Sequence, residues 1–147
     1  MQKITPFLWF NNNLEEAVNF YISVFQDSKI ISSIPGPDGK IMSATFKLNG
    51  LTFTGLNGGP MYKFSEAISF FITCEDQKEV DYYWEKLSEG GEEGQCGWLK
   101  DKFGLSWQVV PKALGELLSD KNGEKAGRVM QAMLKMQKIV IEDLQKA

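Results

Sequence analysis

Gly50-Leu51-Thr52-Phe53 and Gly104-Leu105-Ser106-Trp107 are two versions of one segment, 54 residues apart. Each closes a series that opens with a strand and an amphipathic helix, running once through Leu56 and again from near Ala67. A shift of 62 carries Val18 onto Val80, Phe20-Tyr21 onto Tyr82-Tyr83 and Phe25 onto Leu87. The chain therefore reads as one β-α-β-β-β module written twice, the second copy 8 residues shorter in its middle strands. Paired modules of this kind enclose a shared pocket, so the repeat says where a site is to be sought.

Outward from the two closing segments, the first copy predicts a strand over residues 4–10, with Pro6 marking an edge or a bend. Asn13, followed by Glu16, predicts a helix N-cap with an acidic first turn. Leu14, Ala17, Val18, Tyr21, Ile22 and Phe25 recur at helical spacing and predict one buried face. A short β-branched strand over 29–34 and a Pro-Gly turn over 35–39 follow. Strands over 41–48 and 51–56 flank Asn49-Gly50, a strong two-residue hairpin signal. In the second copy a strand is expected over 67–73, then a helix over 76–87 with Val80, Tyr83, Trp84 and Leu87 on one face. Gly90-Gly91 breaks the chain before strands around 93–96 and 98–100, and 101–104 turns into a strand over 105–110. The domain expectation is one two-module domain over 1–111, its modules at about 1–60 and 66–111, with a helical extension over 112–147. That extension predicts a short helix over 113–118 and a long one from Glu124 to about Gln145. The long helix carries Val129, Met130, Met133, Leu134, Ile141 and Leu144 as an apolar stripe, to be packed on the domain or on a partner subunit.

Composition narrows the function. Of 147 residues, 43% are hydrophobic and 24% charged, as in ordinary globular proteins, and 10 Phe, 4 Trp and 4 Tyr supply flat apolar walls. The net charge is −3, with −6 over residues 65–111 and +2 over 112–147. No basic stripe exists to neutralise phosphates, so nucleic acid is not an expected partner. No apolar run is long enough to span a bilayer, no signal peptide is expected ahead of Ile4, and two cysteines make no disulfide framework. A cytoplasmic location is the expectation. There is no histidine at all.

Strand alternation divides the side chains into two sets. Leu8, Phe10, Phe53, Ile68, Phe70, Ile72, Trp107 and Val109 form an apolar set expected beneath the helices. Thr5, Phe7, Trp9, Thr52, Thr54, Leu56, Ala67, Ser69, Phe71, Ser106, Gln108 and Val110 form the other, mixing aromatic walls with hydroxyls and one amide. That mixture is the usual lining of a small-molecule site.

Further residues carry a family likeness: Ile4-Thr5-Pro6-Phe7-Leu8-Trp9-Phe10, Ala17-Val18-Asn19-Phe20-Tyr21, Asn57-Gly58-Gly59-Pro60 and Trp84-Glu85-Lys86-Leu87. It continues through Gln95-Cys96-Gly97-Trp98-Leu99-Lys100-Asp101 and Gly104 to Pro111. At these residues the chain resembles the glyoxalase/bleomycin resistance/dioxygenase (vicinal oxygen chelate) superfamily, and within it the PhnB-like group labelled 3-demethylubiquinone-9 3-methyltransferase domains. The resemblance implies an α+β fold in which paired βαβββ modules form a cupped mixed sheet around a cavity, with C-terminal helices, and a homodimer. It also implies a divalent metal held by one residue on each outer strand. Aligned through the repeat, those four positions are Thr5, Thr54, Ala67 and Gln108. Only Gln108 offers an acceptable oxygen, since threonine hydroxyls are weak ligands and alanine offers none. Many relatives carry a histidine after Asn-Gly-Gly-Pro, where this chain has Met61. A metal-dependent glyoxalase or dioxygenase reaction is therefore disfavoured, and no metal or cofactor is expected. The methyltransferase label lacks a Gly-x-Gly-x-x-Gly loop between strand and helix to support it.

Three functional readings follow. The first is a metal-independent binding protein whose Phe7, Trp9 and Trp98 form walls while Thr54, Ser69 and Gln108 orient a small, partly aromatic or amphipathic ligand. The second is an enzyme of the same superfamily, an isomerase, lyase or methyltransferase, using Cys96 or a bound water. Cys96 as a nucleophile needs a neighbouring cation or base; Lys100 and Lys102 are near in sequence, and a buried structural cysteine is the simpler expectation. Asp101 is a turn former before it is a base. The third reading is an interaction module acting through the C-terminal helix.

Overall fold

A computed structural model describes residues 2–147. The chain divides into two compact units, one ending at Phe64 and the other spanning Ser65–Ala147. The first contains β1 (Phe7–Phe10), α1 (Leu14–Val24), β2 (Lys29–Pro35), β3 (Ile41–Leu48) and β4 (Leu51–Asn57). The second repeats the order with β5 (Phe70–Cys74), α2 (Gln77–Ser88), β6 (Glu92–Glu93), β7 (Trp98–Lys100) and β8 (Ser106–Pro111), then adds α3 (Lys112–Leu118), α4 (Gly123–Leu134) and α5 (Ile141–Gln145). The sheets have the same strand order, β1-β4-β3-β2 and β5-β8-β7-β6. In each, the first strand pairs in parallel with the last and the remaining pairs are antiparallel. The fold is α+β with two four-stranded mixed sheets.

In the first unit, Leu14, Ala17, Val18, Tyr21 and Val24 of α1 are buried, and Phe46 stacks on Phe53 with ring centroids 5.5 Å apart. Asn49-Gly50 makes the expected two-residue turn, both residues at positive φ (47° and 86°), with Leu48 opposite Leu51. The helix N-terminus departs from expectation. Asn13 occupies the cap position without a side-chain hydrogen bond. The Leu14 N–H instead donates to Oδ1 of Asn57, 3.0 Å away, and Asn57 Nδ2 donates to the Ile41 carbonyl at 2.9 Å. One amide at the end of β4 thus satisfies an orphan helix donor and ties β3 to it.

The second unit buries Val80, Trp84 and Leu87 of α2 against Leu99, Trp107 and Val109. Here Asp76 does cap its helix, accepting from Glu79 N at 2.9 Å. Three expectations are corrected. The first strand begins at Phe70 rather than at 67, and Ile68 is 58% exposed instead of lying beneath a helix. The strand expected around 93–96 shrinks to two residues, because Cys96 (φ 59°) and Gly97 (φ 84°) both take the left-handed conformation and turn the chain. The long C-terminal helix is two helices. Between them the Met136 and Gln137 carbonyls accept the Cys96 and Gly97 N–H groups, both at 2.8 Å, so this stretch serves the turn instead of a helical ladder.

The extension is built into its own unit. Val110, Leu114, Val129, Ile139 and Leu144 form one buried cluster. Val110, expected on the ligand-facing side, is therefore covered by the chain's own helices. Gln77 of α2 fastens the same stretch, donating to the Ile139 carbonyl at 3.0 Å and accepting from the Ile141 N–H at 2.8 Å. Lys138 pairs with Asp81 at 2.9 Å. Among the described residues, no helix is long and apolar enough to cross a membrane.

Capping from a distance has a measurable signature. Asn57→Ala should lower stability by about 1–2 kcal/mol in urea unfolding, whereas Asn13→Ala should cost less than about 0.5 kcal/mol. The reverse ranking would refute the Asn57 cap.

Candidate functional site

Within each unit, the strand pairing sets candidate residues side by side. In the first, Phe7 stands opposite Thr54, and Thr54 opposite Thr45, with the two threonine hydroxyls 3.4 Å apart. Phe7 is 60% exposed. Trp9, half-buried, stands opposite Leu56; its indole N–H donates to the Gly59 carbonyl at 2.9 Å and its ring meets the edge of Tyr62 at 4.9 Å. The Asn57-Gly58-Gly59-Pro60 motif now has a local reason. Gly58 and Gly59 donate to the Phe10 and Asn11 carbonyls, continuing the parallel pairing, and a Cβ on Gly58 would run into the Trp9 ring.

In the second unit, Gln108 stands between Phe71 on β5 and Trp98 on β7. Its Nε2 donates to Ser69 Oγ at 3.0 Å. Ser69, Trp98 and Gln108 are thus brought to one patch of this sheet, beside a Phe71 that is 58% exposed. The register also corrects the repeat alignment. Phe7 faces Thr54 as Phe71 faces Gln108, so the first strands are related by a shift of 64, not 62. The counterpart of Thr5 is then Ser69, and Ala67, exposed and outside β5, drops out.

The donors at these positions are the hydroxyls of Thr5, Thr54 and Ser69 and the amide of Gln108. None is a carboxylate, imidazole or thiolate, the groups that hold divalent transition metals. Gln108 and Ser69 already bond each other. Among the described residues, no three His, Cys, Asp or Glu side chains are grouped to hold a metal ion. The residues do not fit the superfamily's metal.

The remaining candidates resolve differently. Cys96, expected to be buried, is half-buried; Cys74 is the buried thiol. Burial first, and then the nearby Glu79 carboxylate, push Cys74 up to about 12. Lys100, considered as a cation for Cys96, is paired with Glu66; that bond raises the ammonium and lowers the carboxyl. Lys102 lies over the Phe103 ring at 5.5 Å. Asp101 is 2% exposed and fully committed: Oδ1 accepts from Phe103 N (2.8 Å) and Leu105 N (3.1 Å), Oδ2 from the Trp107 indole (2.9 Å). It is the staple of the β7–β8 turn, a role its turn-forming sequence context suggested and its burial completes. Ser106 Oγ was not singled out from the sequence. It is buried without a hydrogen-bond partner, and alternation alone gives no sign of that.

With this geometry in place, comparison with known proteins is informative. The family profile described as 3-demethylubiquinone-9 3-methyltransferase matches residues 2–110. A PhnB protein of Bacillus cereus, described as a 3-demethylubiquinone-9 3-methyltransferase, is 36% identical; the match covers 75% of this chain and 99% of that one, with TM-score 0.71. A protein of Pseudomonas aeruginosa shares the fold at 21% identity and TM-score 0.62, covering 76% and 98%. The fosfomycin resistance protein FosX of Listeria monocytogenes, solved with Mn(II) and sulfate, shares it at 18% identity and TM-score 0.52, covering 73% and 89%. Comparison with curated proteins gives no match.

Two outcomes follow from the buried groups. Asp101→Asn places an NH2 against a donor and should destabilise the protein by roughly 3 kcal/mol in chemical unfolding; an unchanged midpoint would contradict the staple. Cys74 should resist thiol labelling at pH 8 until the protein unfolds. Because its folded pKa stands above the ordinary 9.0, its contribution to stability is complete below pH 9 and is lost as pH rises toward 12. Rapid labelling of both thiols in the folded protein would contradict this.

Proposed function

The chain belongs to the 3-demethylubiquinone-9 3-methyltransferase family, a PhnB-like group of the glyoxalase/bleomycin resistance/dioxygenase superfamily, and from that premise we propose that it binds a small, partly aromatic or amphipathic molecule without a metal. One observation carries the reading. Phe7 and Phe71, at equivalent register positions beside Thr54 and Gln108, are each more than half exposed. Leaving such a ring in water forfeits about 1.5–3 kcal/mol, which supports a sheet face built to be covered. Trp9 in the first unit and Trp98 in the second each act as a further wall, each on its own sheet. Within the second unit Ser69 and Gln108 orient the ligand, and Gln108 Nε2 is held by Ser69, which aims the amide; Thr54 offers a hydroxyl on the corresponding face of the first unit.

The enzyme reading has less support, since Asp101 and Lys100 are already engaged and neither assists Cys96. We further propose a cytoplasmic homodimer. The exposure of every residue of β2, including Ile31 and Ile34, is consistent with a covering partner.

Native mass spectrometry of purified protein reads both proposals. The expected result is a dimer mass carrying a non-covalent organic molecule, which Gln108→Ala loses while circular dichroism shows the fold intact. Near-stoichiometric nickel, zinc, iron or manganese by elemental analysis, or full retention of the molecule in Gln108→Ala, would overturn the reading.

A further inference from the structure

Ser106 is the second unit's unanswered polar group. It opens β8 at 1% exposure, and its Oγ has no hydrogen-bond partner. Folded proteins keep few such groups, and each calls for a physical reason. Ser106 stands opposite Lys100 as Gln108 stands opposite Trp98, so the four side chains share one face of β7 and β8. Beside them lies a cleft of about 90 Å³ lined by Ser106, Trp98, Leu99, Lys100, Glu92 and Glu93.

Of the charged groups around this cleft, Lys100 and Glu93 already have partners, while the exposed Glu92 carboxylate has none among the described residues beyond the Lys100 ammonium opposite it. Lys100 pairs with Glu66 and stands opposite Glu92, and Glu93 Oε1 accepts from the Trp84 indole at 2.9 Å. An added anion would have to displace Glu66 from Lys100, and the buried Ser106 oxygen itself carries no charge. The demand left over is that of one neutral hydroxyl beside an aromatic ring.

We propose that this cleft is a ligand subsite for an uncharged hydroxyl or carbonyl group carried on an aromatic ring, with Ser106 Oγ hydrogen-bonded to that group and Trp98 against the ring. The inference rests on the binding-protein reading above and extends its site from Gln108 toward Lys100. It also explains why a buried hydroxyl is left open in the free protein, where an alanine would be better tolerated.

The test titrates the full chain with phenol, toluene, benzoate and benzylamine, following the tryptophan indole signals by NMR, in wild type and in Ser106→Ala. Phenol should bind most tightly to wild type. Ser106→Ala should weaken phenol about fivefold, leave toluene unchanged and raise the melting temperature of the free protein. Equal phenol affinity in the two proteins would overturn the inference while leaving the binding reading intact. A lower melting temperature for Ser106→Ala would give the hydroxyl a structural partner and overturn it too, and tighter binding of benzoate or benzylamine would overturn the uncharged class. Failure of every probe to bind wild type would remove the binding reading, and this inference with it.

Discussion

Both units depend on a parallel pairing between their first and last strands, β1 with β4 and β5 with β8. Parallel neighbours cannot be joined by a tight turn, so everything between them must serve as a crossover. The helix and the two middle strands of each unit are that crossover. The pairing also decides which side chains meet, because Phe7 reaches Thr54, and Phe71 reaches Gln108, only through it. In the first unit it runs on past the strands into Gly58 and Gly59, where it wraps the chain around the Trp9 indole.

What the sequence disclosed follows from how local each determinant is. Asn49-Gly50 encodes its turn in two residues, and the apolar faces of α1 and α2 are written at helical spacing. Features made by distant partners were not readable. Asn13 has the chemistry of a cap, yet Asn57, 43 residues beyond Leu14, supplies the accepting oxygen. The two-residue error in the first-strand alignment arose because helix and strand shift by different amounts between the copies, and only the strand register separates them. The continuous apolar stripe predicted one long C-terminal helix; the N–H groups of Cys96 and Gly97 draw on carbonyls in its middle and so break it. Of the candidate site, the types at Ser69, Trp98 and Gln108 could be read from the sequence and their adjacency comes from the strand pairing, while the isolation of Ser106 Oγ depends on what surrounds it.

The second unit sorts its polar groups into two kinds. Asp101 spends both oxygens on three donors and fixes the turn that sets β7 against β8. Ser106, five residues on, spends nothing. The buried charge of Asp101 is used for architecture, and the ligand candidates Ser69, Ser106 and Gln108 are neutral groups. A chain without histidine is consistent with that division, since hydroxyls and amides orient a molecule well and hold a metal poorly.

Gln77 gives the extension a meaning beyond packing. Its side-chain amide donates to Ile139 and accepts from Ile141, presenting the same donor and acceptor pair as a peptide group. A helix side chain thereby imitates a neighbouring strand and stitches the C-terminal segment to the start of α2. The family profile stops at residue 110, but the compact second unit runs on to Ala147. A polypeptide cut at that border would leave Val110 bare and the Cys96 and Gly97 N–H groups without these acceptors, so the border of the family profile and the border of the compact unit fall at different places in this chain.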